Sequence, residues 1–183
     1  MRQSLTISNI LSASRAVLVI PIGYCLVSDF QYNRYYALAI VAFAIVTDFL
    51  DGFLARKLHQ VSDLGKFLDP LADKIGIGVY AIIMAWTGDV PLWFIILVLV
   101  RDAVIFSGGV VIKLKKKIVP QSNWPGKISV SLIAWVFFLG TIQVDQSSLI
   151  YKISIWVSVG MMIWSVWSYG KRLFIGRHVE VKN

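Results

Sequence analysis

Apolar residues in this chain come in long, barely interrupted runs, with polar and charged residues gathered into the short stretches between them. Six runs, at roughly 12–27, 35–55, 68–86, 91–112, 127–142 and 149–173, approach the ~20 mostly apolar residues that a membrane-spanning helix requires. The first run is short. Ahead of it Leu5, Ile7, Ile10 and Leu11 interleave with Ser4, Ser8 and Ser12, the pattern of an amphipathic segment lying in the membrane interface before the chain dives. The first run lacks a small-residue cleavage site and a polar break, so no cleavable signal is expected. Connections are short and no internal repeat, long linker or low-complexity stretch interrupts them. The expectation is an all-α integral membrane protein: six transmembrane helices in one bundle, neighbours antiparallel, forming a single domain over residues 1–183.

Composition agrees with the pattern. Of 183 residues 57% are apolar, against roughly 45–50% in soluble domains, and only 15% are charged, against about 25%. These values exclude a disordered chain, a coiled coil and a collagen-like repeat. The single Cys25 excludes an intramolecular disulfide and a cysteine-rich zinc site; within the first run it reads as a small apolar filler. Seven Trp, seven Tyr and ten Phe suit a chain that meets lipid headgroups at several places. A net charge of +8 invites nucleic acid as a partner, but a nucleic-acid binder needs a solvated basic face that this chain can scarcely supply.

The cations instead set a topology. Thirteen of eighteen lie at the N-terminus, after the second and fourth runs, or in the tail: Arg2, Arg56, Lys57, Lys66, Lys113, Lys115, Lys116, Lys117, Lys127, Lys171, Arg172, Arg177 and Lys182. Only Arg34 and Lys152 occupy the opposite loops, while Arg15, Lys74 and Arg101 fall inside runs. The positive-inside rule then places both termini in the cytoplasm. This topological signal is the plain reading of the basic cluster at 113–117, and the tail from Lys171 to Lys182 reads as a headgroup-facing anchor. His59 and His178 show no ligand spacing and read as solvated loop and tail residues.

Half of the ten acids lie between Asp48 and Asp73. Asp48 and Asp51 stand at i, i+3 and Asp69 and Asp73 at i, i+4, so each pair shares one helical face. A short loop joins the two runs, which lets the faces meet across a helical hairpin. A carboxylate at mid-bilayer costs about 2.5–3.5 kcal/mol, and four together would also repel one another. Divalent cations remove both penalties, and an all-oxygen set suits Mg²⁺ or Mn²⁺. Taken singly, each residue also has a plain structural reading. Asp69 before Pro70 is an ordinary helix N-cap pattern, and Asp48 and Asp51 have Arg56 and Lys74 to pair with.

From Asp48 to Asp73 the chain reads DFLDGFLARKLHQVSDLGKFLDPLAD, which is D-x2-D-G-x2-A-R-x8-G-x3-D-x3-D. These eight fixed positions resemble the signature of the CDP-alcohol phosphotransferases (CDP-alcohol phosphatidyltransferases), enzymes that make phospholipids from CDP-diacylglycerol or a related CDP-alcohol. Six spans with cytoplasmic termini fit that family's fold too. The resemblance implies two divalent ions, Mg²⁺ or Mn²⁺, held by Asp48, Asp51, Asp69 and Asp73. It implies Asp73 as the general base for the acceptor hydroxyl, with a nucleotide site that includes Asp51, Gly52, Ala55, Arg56 and Gly65. Glycine and alanine leave room for a ring or ribose pressed against a helix, and arginine forks onto phosphate. Close helix packing is the other reading of the glycines. Asn9, Ser12 and Arg15, at i, i+3, i+6, resemble the N-x2-T-x2-R element that often opens the family's first helix, with Ser12 in place of Thr. An ordinary polar interfacial stripe has the same spacing.

The acceptor is less determined. Arg101, beside Asp102, either pairs with an acid to stabilise the bundle or lines a polar cavity. With Lys127 it would supply cations for an acceptor phosphate, as the resemblance to the phosphatidylglycerophosphate synthase branch implies, glycerol 3-phosphate being the acceptor. Members of that branch often carry a second Arg two turns later; here stand Gly108 and Gly109, with Lys113, Lys115, Lys116 and Lys117 as the candidate substitutes. Phosphatidylglycerol, as in cardiolipin synthases, and inositol phosphate or serine are the alternatives. The short chain suggests a prokaryotic-type enzyme of the cytoplasmic membrane, its active site facing the cytoplasm. Family members are commonly homodimers, and Trp86, Trp93, Trp135, Trp156 and Trp164 offer packing surfaces without catalytic duty. A divalent-cation transporter is the competing class, since it too needs intramembrane acids; it would be expected to show paired halves or broken helices.

Overall fold

A computed structural model of the chain describes residues 7–57, 65–116 and 124–175, with side chains described over 17–47, 76–109 and 124–171. The described chain is six helices: α1 (Ile7–Val27), α2 (Asn33–Lys57), α3 (Gly65–Trp86), α4 (Leu92–Lys116), α5 (Trp124–Thr141) and α6 (Leu149–Ile175), with no strand among the described residues. Each expected span coincides with one helix. Three contain stretches long and apolar enough to cross a membrane: Leu92–Gly109, Trp124–Thr141 and Leu149–Lys171. In the first three helices the described apolar stretches are shorter, Val17–Val27, Asn33–Thr47 and Gly76–Trp86. Ile20, Phe43, Ile82, Ile96, Phe106 and Ile163 all stand outward and exposed, apolar surface that water would penalise and lipid does not. The protein is membrane-associated.

Several boundaries differ from the sequence expectation. The amphipathic lead-in is, from Ile7 on, continuous with the first span in one helix, and residues 1–6 lie outside the described residues. Helix α3 begins at Gly65, so Asp69 is not an N-cap but a residue of the second turn. Pro70, in the second turn, gives up the backbone bond that would run to the Lys66 carbonyl. Helix α4 runs on through Lys113 to Lys116, which therefore belong to a helix end, where cations oppose the negative end of the macrodipole.

The chain forms two compact units, residues 1–89 and 90–183. In the first, α1 packs against both α2 and α3. Buried Ile22, Cys25, Leu26, Ala37, Ala81 and Met84 make its core, so Cys25 is the apolar filler expected of it. Glycines let α1 and α3 approach. A Cβ added to Gly76 would lie 3.4 Å from Val19, and one added to Gly23 only 2.8 Å from Ile83. Residue numbers rise together across these contacts, so α1 and α3 run parallel. Between α1 and α2 the turn at 28–32 is strapped by Asn33, whose side chain donates to the Ser28 carbonyl and accepts the Arg34 amide at 2.8 Å.

In the second unit α6 packs against α4 and α5. Phe94, Val98, Ile133, Val136, Tyr151, Ile155 and Met162 are buried there. Trp135 donates from Nε1 to Ser154 at 3.2 Å across the antiparallel α5–α6 pair, and the Trp93 and Trp156 rings lie 6.1 Å apart between parallel α4 and α6. The central helix is thus first in one unit and last in the other, so the units do not repeat one topology.

Helix ends follow backbone chemistry. Gln143 (φ 55°) closes α5 in a left-handed cap, with Val144 N–H donating to Leu139 and Gln143 N–H to Gly140. In the loop that follows, the Ser147 hydroxyl and then its amide hold the exposed Asp145 carboxyl below the usual carboxylate range. Gly88 (φ 74°) performs the same closing role after α3. No atom lies within 4 Å of a Cβ added there, so the cost of Gly88→Ala is conformational. It should destabilise the protein by about 1 kcal/mol, measurable as a lower unfolding midpoint in detergent.

Candidate active site

The signature occupies the end of α2 and the start of α3. Asp48, Asp51, Gly52, Ala55 and Arg56 lie in the last three turns of α2, and Gly65, Asp69 and Asp73 in the first three of α3. Asn9 and Ser12 lie in the first turns of α1. The side chains of all ten lie outside the described residues, but the helices that carry them fix their levels. Counting outward from the middle of the 28–32 turn, residue for residue along antiparallel α1 and α2, brings Ser12 level with Asp48 and Asn9 level with Asp51. Along parallel α1 and α3, the Val19–Gly76 and Gly23–Ile83 contacts bring Ser12 level with residues 69–72. The three segments therefore share one end of the first unit, and both acid pairs stand within about two turns of one another along the bundle axis.

This end has the chemistry for a divalent ion. By residue type the set is four carboxylates, hard oxygen donors of the kind a divalent ion takes, carried by two helices that share α1 as neighbour.

The acceptor candidates lie in the second unit. Arg101 on α4 has its side chain nine-tenths buried and reaches both other helices. Its Nη2 donates to Ser165 Oγ on α6 at 3.2 Å and makes a long 3.5 Å contact with the Gly126 carbonyl on α5, while Nη1 pairs with Asp102 at 2.6 Å. Asp102 is more than half exposed, so the pair is solvent-facing on one side only. The stabilising pair expected as one alternative is thus present, but with one donor left over. Arg101 Nε is buried and has no acceptor among the described residues, and a buried donor without a partner calls for a ligand or water. Lys127 is exposed one residue beyond Gly126, its Nζ 5.6 Å over the Trp124 ring.

Ser165, which touches Arg101, was not singled out by sequence reasoning. A fully buried serine on an apolar helix facing a mid-span arginine was the available signal. Of the residues set aside, His59 and His178 lie outside the described residues. Lys171 stacks on Trp167 at 3.8 Å, consistent with an interfacial helix end.

The chain matches the family model described as CDP-alcohol phosphatidyltransferase over residues 5–164, and it belongs to that family. It is 41% identical to the "Probable cardiolipin synthase (CMP-forming)" of Drosophila melanogaster over 60% of this chain and 33% of that protein. It is 33% identical to the cardiolipin synthase (CMP-forming) of Streptomyces coelicolor over 73% of this chain and 63% of the other. A CDP-diacylglycerol--glycerol-3-phosphate 3-phosphatidyltransferase of Aquifex aeolicus is 35% identical over 71% and 72%. The chain thus spans less than two thirds of the length of the first two.

Proposed function

We propose that this protein transfers a phosphatidyl group from CDP-diacylglycerol to an alcohol, releasing CMP. The observation that carries the reading is the convergence of the complete eight-position signature on one end of a three-helix unit, in a chain of the family that bears it. Asp48, Asp51, Asp69 and Asp73 would hold two divalent ions, Mg²⁺ or Mn²⁺. Bound there, the ions neutralise the pyrophosphate and ease departure of CMP. Gly52, Ala55 and Gly65 leave space for the nucleotide, Arg56 forks onto its phosphate, and Asn9 and Ser12 reach it from α1. Asp73 takes the proton of the acceptor hydroxyl. The hydroxyl oxygen then bonds to the phosphatidyl phosphorus as the bond from that phosphorus to CMP breaks.

Both units belong to one catalytic domain, a reading supported by a family match that runs through both. Six spans with both termini cytoplasmic complete it, the site facing the cytoplasm of a prokaryotic-type membrane and the first turns of α1 lying in the interface. The orientation has support in the two cations of the opposite loops. Only Arg34 and Lys152 stand on that side against thirteen cations on the other, the bias that the positive-inside rule reads. A homodimer uses the exposed faces of Trp86, Trp156 and Trp164.

Glycerol 3-phosphate is the acceptor this reading favours, because Arg101 Nε offers an unused buried donor to a phosphate. Phosphatidylglycerol is the second reading, favoured by the absence of a further arginine at Gly108 and Gly109 and by the two relatives named cardiolipin synthase. Offering glycerol 3-phosphate, inositol phosphate, serine and phosphatidylglycerol singly, with the lipid product identified by mass, separates them. With glycerol 3-phosphate as acceptor, Arg101→Ala should raise its KM about 10- to 150-fold, the equivalent of one charged hydrogen bond of about 1.5–3 kcal/mol, while the KM for CDP-diacylglycerol stays nearly constant. Reaction with phosphatidylglycerol alone would install the second reading, and reaction with serine alone would end the phosphate-pocket idea.

A further inference from the structure

The signature must be held in register across two helices whose packing runs through a third. At the opposite end of the same unit a buried polar cluster ties them directly. Arg34, in the first turn of α2, reaches Asp89, just past α3, with Nη1 2.5 Å from Oδ2. Both side chains are largely withdrawn from solvent, at 14% and 7% exposure. Thr87 donates its hydroxyl to the same Asp89 oxygen at 2.5 Å, and that hydroxyl also lies 3.1 Å from the Ile83 carbonyl of the last α3 turn. The positive φ of Gly88 folds Asp89 back toward α2. Arg34 is itself fixed, since its amide is bonded by the Asn33 side chain that straps the α1–α2 turn.

The cluster stands at matching distances from the two acid pairs. Asp48 follows Arg34 by 14 residues and Asp73 precedes Asp89 by 16, which at about 1.5 Å per residue are spans of roughly 21 and 24 Å. Between these ends α2 and α3 are both packed on α1, and the α1–α3 contact is made through glycines and flexible aliphatic tips, Gly23 on Ile83 and Gly76 on Val19. These apolar contacts set register by shape alone. The desolvated ion pair adds a directional bond between α2 and the residues that follow α3, and losing one partner strands the other charge.

We propose that Arg34 and Asp89, with Thr87, are positioning residues: a clamp at the far end of the first unit that sets the axial register of α2 against α3. That register decides whether Asp48 and Asp51 stand opposite Asp69 and Asp73. The inference rests on the metal-dependent transferase reading for its consequence but not for its geometry. A slip of one turn would displace one acid pair from the other by about 5.4 Å, more than a shared ion can bridge.

The test uses the full-length protein in nanodiscs and reads Mn²⁺ binding by the loss of the free-ion paramagnetic signal, alongside CMP release and the thermal midpoint. Arg34→Ala and Asp89→Ala should weaken Mn²⁺ binding about tenfold and lower kcat, with the acceptor KM unchanged. The exchange variant, Arg34→Asp with Asp89→Arg, should recover most of the affinity. Thr87→Val, which leaves the ion pair in place, should give a smaller shift in the same direction, and it keeps the idea testable should the alanine variants not fold. A lowered thermal midpoint with Mn²⁺ affinity and kcat untouched would overturn the clamp, as would a folded exchange variant no better than the single ones. Wild-type protein that binds Mn²⁺ but releases no CMP would end the transferase reading and leave the clamp standing on the Mn²⁺ data.

Discussion

Replacing Asp48, Asp51 or Asp69 by asparagine should lower CMP release by about 10²–10³-fold or more, the range seen when a single preorganised charge-stabilising group is lost. Asparagine keeps the shape of the side chain and a carbonyl oxygen but removes the negative charge that holds a divalent ion. On the proposed reading the ions would carry the charge of the pyrophosphate and of the departing CMP, so no other group in the signature would replace them. Chelation of the wild type should have the same effect, reversed by Mg²⁺ or Mn²⁺. Full activity in chelator, or in any of the three variants, would overturn the metal assignment. The thermal midpoints of the variants should equal or exceed that of the metal-free wild type, since each relieves repulsion among crowded carboxylates.

Asp73→Asn should separate binding from turnover. A positioned general base contributes about 10²–10⁴-fold to rate, and kcat should fall by that amount. Metal and CDP-diacylglycerol affinity should fall less, because three carboxylates remain. The split shows in kcat against the Mn²⁺ dissociation constant measured without substrate. Should Asp73→Asn lose Mn²⁺ affinity as severely as Asp48→Asn, Asp73 is a ligand first and the base must be sought elsewhere.

The six helices were legible because apolar runs bounded by polar turns leave few other arrangements for a chain in lipid, where each backbone polar group must find its partner within the segment. Their ends were less so. Asp69-Pro70 has the form of a helix start, yet α3 begins four residues earlier at Gly65. The lysines at 113, 115 and 116 looked like loop residues because charge marks a membrane boundary, but a helix continues past that boundary without difficulty. Packing partners were hidden as well. Sequence proximity suggested that α2 and α3 face each other as a hairpin, whereas α1 packs on both, and it is the glycines 23 and 76 that admit α3 beside α1. The Arg34–Asp89 pair joins residues 55 apart in sequence, a distance at which no local pattern speaks. The acidic signature stands out in the sequence because its chemistry is dense there, four of its carboxylates and two glycines falling within 26 residues, while its side chains lie outside the described residues.

The most direct test is the release of CMP from CDP-diacylglycerol by the purified full-length protein in nanodiscs, with Mg²⁺ or Mn²⁺ present and each alcohol acceptor supplied in turn. One CMP should appear for each new phosphatidyl product formed, and neither should appear in chelator. No CMP with any acceptor at any metal concentration, together with metal-ion flux when the same protein is sealed into liposomes, would contradict the transferase reading and point to a transporter.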